Sequence, residues 1–189
     1  MPTTAPLSKT LAFLSLAAAL FAAAPAAGQT MGTTDHGDHA GDLSTDAFAR
    51  AAAESGLAQL MTSYLALQEA TGEGPAEDFA WTMINHHGSA IGDLAQSLSD
   101  GSDALPMEPS AEQVQEIERL GRLEGEAFDQ AYFDHQVEAH RAAVALYEAG
   151  SRVDDEAVAQ YAMTTLPVLR AHLEIAEMKR AEVRDGQDG

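Results

Sequence analysis

Cysteine is missing from all 189 residues. That excludes a disulfide framework, thiolate metal ligands and a thiolate nucleophile, so stability has to come from a hydrophobic core. Basic side chains are scarce, with ten Lys and Arg against thirty Asp and Glu. A surface this acidic repels nucleic acid and anionic lipid, and neither is expected as a partner. Most of the acids read as a solvated face that concentrates cations weakly. No Val-, Ile- or Thr-rich alternating stretch marks a strand. A Gly-rich phosphate loop and a nucleophile elbow are both missing, so an enzyme is not expected.

One long apolar run is present, from Leu11 to Phe21 and beyond. Lys9 is the only charge before it, and small residues from Ala24 to Gly28 offer cleavage sites. This is the pattern of a secretion signal over residues 1–28. An uncleaved anchor is the alternative, but about 17 residues is short for a membrane span. No cysteine follows the run, which closes the lipoprotein route. Cleavage leaves nine basic and thirty acidic side chains in a chain with no second apolar run. An exported, periplasmic protein without stable membrane insertion is expected. Its length suits one domain with a real core.

Residues 29–43 read as a flexible arm. It carries Met31, Asp35, His36, Asp38 and His39, which could pick up Cu(II), Ni(II) or Zn(II) weakly or serve only as a polar tether. Residues 44–182 read as helices, followed by a disordered tail over 183–189. The first helix starts at Ser44 or Thr45, with Leu57, Leu60, Tyr64 and Leu67 as its apolar stripe and Met61 beside it. Pro75 opens the second, striped by Ala80, Ile84, His87, Ile91, Leu94 and Leu98. Ser110 and Gln113 form a capping box for a short third helix. The fourth, from about Glu126 to Ala149, is striped by Phe133, Val137, His140, Val144 and Tyr147. The fifth, from about Asp154 to Glu182, is striped by Val158, Tyr161, Thr165, Val168, His172 and Ile175. Pro167 inside it is expected to kink it. Four long amphipathic helices predict an all-α antiparallel bundle, with the short helix in the connection. A faint repeat pairs Phe79, Met83, His87 and Ala90 with Tyr132, Gln136, His140 and Ala143.

The histidines carry the chemistry. His87, His140 and His172 each take a core position, on three different long helices. Buried imidazoles need polar partners, and three on facing helices can share one transition metal. They can equally be separate core histidines, each bonded to a neighbouring group. A shared ion requires the rings to lie within about 5 Å of one another, given metal–nitrogen bonds of about 2 Å. A carboxylate-bridged di-iron centre uses Glu-x-x-His pairs. Here Ile84, Val137 and Leu169 stand three residues before the histidines, so iron is disfavoured. Met83 and Met61 offer thioethers, and imidazole with thioether points to copper; imidazole alone also admits zinc. The methionines can also be plain core filler. His86 and His135 are expected off the core, since neighbouring helical residues diverge by about 100°.

Four segments carry a resemblance. They are Phe79 to His87, Glu126 to Tyr132, Val137 to Leu146 and Thr165 to Leu173. In order and spacing the chain resembles the exported, ferritin-like domain-of-unknown-function family numbered 4142. The His86-His87 segment is also similar to the related family numbered 305, some members of which are linked to copper handling. The resemblance implies a ferritin-like four-helix bundle, export, and recurrent histidines matching His87, His140 and His172. It implies no established activity. Gln59 and Met61 stand where similar sequences often carry acids, a departure that weakens an inherited iron site. Three readings follow. One is a transition-metal (copper or zinc) protein for metal buffering or envelope stress. The second is a structural or protein-interaction module without metal, its partner unspecified by any feature. The third, least supported, is a di-iron-type oxidoreductase.

Overall fold

Among the described residues, the helix signals in the sequence become five helices. The computed structural model describes residues 43–69, 75–98 and 105–186, and every regular element among them is helical. These are α1 (Thr45–Glu69), α2 (Pro75–Ser97), α3 (Ala111–Leu120), α4 (Gly125–Gly150) and α5 (Glu156–Asp185). The expected signal segment and the arm lie outside the described residues. The exception is Leu43, which packs against the core.

Local chemistry explains the ends. The Ser110 hydroxyl accepts from the Gln113 N–H at 3.3 Å, and the Ser110 N–H donates to Gln113 Oε1 at 2.8 Å. This reciprocal pair is the expected capping box. Asp155 caps α5 through the N–H groups of Ala157 and Val158. Helix α5 passes unbroken through Pro167 and continues to Asp185, beyond the Glu182 expected.

Helix α4 lies along α5 and α1 along α2, while α1 also meets α4 and α2 meets α5. Helix α3 rests on α1 and α4. The core falls into two apolar clusters. One gathers Phe48, Ala52, Leu94, Tyr147, Val158 and Leu169, among others. The second gathers Met83, Phe79, Phe128, Tyr132, Phe133 and Ala176, among others. Between them, each long helix presents buried polar side chains. Gln59, Thr62 and Ser63 come from α1, His87 from α2, Gln136 and His140 from α4, and His172 from α5. A polar layer therefore divides the core.

Helix α1 departs from the expected stripe. Leu57, Leu60 and Leu67 are only half-buried, and Tyr64 is exposed. The buried face is instead small and polar: Ala52, Gly56, Gln59, Ser63 and Ala66. The cause is close approach. A Cβ on Gly56 would stand 2.9 Å from Ile91 Cγ1, so only small residues fit between α1 and α2. On α5, Val168 is exposed, and Leu169 takes the core position. The same packing logic holds at the end of α4, where a Cβ on Gly150 would run into the Phe48 ring.

Candidate metal centre

His140 and His172 each stand three or four residues along their helix from apolar side chains of both clusters, and His87 stands four residues after Met83 and seven before Leu94. That periodicity turns all three inward, and the three are buried. One ring nitrogen from each lies within 4.8 Å of the other two. Ring centroids are 5.6 Å apart for His87–His140, 5.6 Å for His87–His172 and 5.3 Å for His140–His172. The register needed for a shared ion is met. Tetrahedral ligand nitrogens at metal–nitrogen bonds of about 2.0–2.1 Å sit about 3.4 Å apart.

Electrostatics keep the rings neutral. Burial pushes His140 down to about 4, although a bond to the Gln136 carbonyl opposes the shift. Burial, with His140 and His86 nearby, takes His172 down to about 3. His87 falls well below its ordinary value, first from burial and then from the other three imidazoles. Neutral imidazole is the form that binds a metal.

The hydrogen bonds decide which nitrogen is free. His140 Nδ1 lies 2.9 Å from the Gln136 carbonyl oxygen, which can only accept. His140 therefore carries its proton on Nδ1 and leaves a lone pair on Nε2. That Nε2 is buried and has no hydrogen-bond partner, as are His87 Nε2 and His172 Nδ1. Three inward nitrogens of one layer thus lack the partners that buried polar atoms ordinarily have.

The remaining candidates separate. Met83 is fully buried one turn before His87, among Phe79, Ala80 and Phe133 of the second cluster. Met61 is 45% exposed. It lies on the side of α1 opposite Gln59, because two residues along a helix turn it by about 200°. The outward turn has the same origin as the misplaced stripe: the small residues of α1, not the large ones, face the core. His135 is off the layer, its Nδ1 3.6 Å from Glu116 Oε1 of α3. Burial lowers His135, with Glu116 opposing.

His86 was expected off the core, and its backbone position is indeed exposed. Even so, its Nδ1 stands 2.7 Å from His172 Nε2. The two rings are nearly parallel, 11° apart, with centroids 5.0 Å from each other. The 100° divergence from His87 was correct but did not exclude contact, because α5 lies on that side of α2. Only the placement of α5 could reveal it.

Carboxylates play no part in the cluster among the described residues. Asp129 is the one buried carboxylate there, and the group within ligating reach is all imidazole. No helix among the described residues is long and apolar enough to cross a membrane.

Residues 30–178 match the family model described as "Domain of unknown function (DUF4142)". The match covers most of the chain, which belongs to that family. No curated protein matches the chain, and no solved structure does either.

Proposed function

We propose that this is an exported periplasmic protein whose ferritin-like antiparallel four-helix bundle binds one transition-metal ion through His87, His140 and His172. Metal buffering or a role in envelope stress would follow. The observation that carries the reading is the convergence of three buried ring nitrogens within 4.8 Å. Three neutral imidazoles without a carboxylate suit copper or zinc better than a di-iron pair.

The bundle reading rests on which residues meet. Phe48 near the start of α1 packs on Tyr147 and Gly150 near the end of α4. Residues paired by the faint repeat also meet, Phe79 with Tyr132 and His87 with His140. That pairing suits parallel α2 and α4 with antiparallel neighbours, the connection through α3 crossing between two hairpins.

The test is metal analysis of natively exported protein. Wild type is expected to carry about one equivalent of copper or zinc, and His140→Ala almost none. Equal metal content in both proteins would favour the metal-free structural module. Iron with oxygen consumption would revive the oxidoreductase.

A further inference from the structure

His86 belongs to the metal reading in a way that its exposed position hides. His172 has two ring nitrogens with opposite surroundings. Nδ1 is buried and without a hydrogen-bond partner, beside the other inward nitrogens. Nε2 faces outward and meets His86 Nδ1 at 2.7 Å. Two nitrogens at that distance share one proton, so one ring donates and the other accepts.

The two arrangements are not equivalent. If His86 donated from Nδ1, His172 would carry its proton on Nδ1. That N–H would point into the layer, where no acceptor stands at hydrogen-bond distance, and the ion would lose a ligand. If His172 donates from Nε2, its Nδ1 lone pair is free for a metal. His140 is fixed in the same sense by the Gln136 carbonyl, its outer nitrogen donating and its inner nitrogen bare. Metal-bound histidines ordinarily donate their second ring N–H to an acceptor that sets tautomer and ring orientation. The near-parallel rings put the His86 lone pair close to the plane in which the His172 N–H lies.

We infer that His86 is a positioning residue of the metal centre: from the solvent side its Nδ1 accepts the His172 Nε2–H and holds His172 in the tautomer that presents Nδ1 to a transition-metal ion. This rests on the metal reading of His87, His140 and His172. It assigns His86 no bond to the metal. The ion therefore keeps three protein ligands, and a position remains for water or an exchangeable ligand. His86 is also the one histidine of the group that opens to solvent. Turning its ring would release His172 without unpacking the core.

Two measurements test it, on the full exported chain. The first needs no metal. Nitrogen NMR of the apoprotein is expected to show His172 protonated on Nε2 in wild type. In His86→Phe, which keeps a flat ring but no acceptor, the tautomers should mix. His86→Gln, whose carbonyl can accept, should restore much of the Nε2–H form. An unchanged His172 tautomer in His86→Phe would overturn the inference.

The second is Cu(II) and Zn(II) affinity by chelator competition, with Cu(II) paramagnetic resonance. His86→Phe is expected to bind one ion with the same number of nitrogen couplings, but 10- to 100-fold more weakly. His86→Gln should recover part of that loss. One nitrogen coupling fewer in His86→Phe would make His86 a direct ligand, and unchanged affinity would make it a bystander; either overturns the inference. If wild type binds neither metal, the metal reading itself falls and takes the affinity arm with it. The tautomer measurement still reads the His86–His172 contact independently.

Discussion

Two buried polar groups in this core have opposite fates. Near one end, the Tyr147 and Tyr161 hydroxyls lie 2.8 Å apart and satisfy each other. Both are buried, and burial raises both above the ordinary tyrosine value. In the layer between the two apolar clusters, three imidazoles converge and leave three inward nitrogens without partners. In the tyrosine pair one hydroxyl donates to the other, so each has a partner. An open set such as the histidines bears an uncompensated desolvation cost on each nitrogen unless something is bound. The contrast separates a polar pair that closes on itself from a set of ring nitrogens that the proposed ion would satisfy.

Acid should break the contrast most strongly. In metal-free protein the folded-state values of His140 and His172 lie at about 4 and about 3, below the ordinary 6.5. Between those values the unfolded chain binds more protons, so stability rises with pH across the window. The stability is fully present above about pH 6.5 and drains as pH falls towards 4. For His140 the loss is roughly 3 kcal/mol, at about 1.4 kcal/mol per pKa unit. The tyrosines contribute nothing there. Urea midpoints from pH 7 to pH 4 should fall steeply for wild type and less for His140→Leu. A flat wild-type profile would mean the layer is not buried and neutral.

Truncation at neutral pH should show the opposite ranking. Tyr147→Phe removes the bond between the two buried hydroxyls and is expected to cost about 1–3 kcal/mol. His140→Leu in metal-free protein removes, at similar volume, the unpartnered Nε2 together with the Nδ1–H bond to the Gln136 carbonyl, which the helix ladder can spare. It should stay within about 1 kcal/mol of wild type. Chemical denaturation of the two variants side by side decides the matter. A larger loss for His140→Leu would show that the layer is structural after all.

The smallest effect is expected at Gly56, beside the layer on α1. A Cβ there meets the flexible Ile91 side chain, not backbone. Gly56→Ala should shift stability by less than about 1 kcal/mol, because crowding offsets the gain in helix propensity. A loss above that would show that α1 cannot yield even slightly without disturbing the polar layer. The measurement is the thermal midpoint.

Much of the fold could be read from the chain. Ser110 with Gln113, and Pro75, marked helix boundaries through backbone chemistry alone. His87, His140 and His172 were legible as core positions because their neighbours repeat with helical period. Helix α1 was misread because hydrophobicity favours large side chains, whereas its inner face is defined by close approach. Leu57, Leu60 and Tyr64 look like a core stripe only until Gly56 is seen against Ile91. The His86 contact was invisible for a related reason. A helical wheel gives the direction of a side chain but not which helix waits there.

The sequence by itself determined an acidic, cysteine-free, all-helical chain with three inward histidines, because periodicity and capping act within a few residues. Tertiary structure alone decided that those histidines share one level, that Gln59 and not Met61 faces inward, and that His86 reaches His172. Those facts depend on the axial register and separation of helices far apart in the chain. Register is set by how small and large side chains interlock across the interfaces, and no local pattern records it.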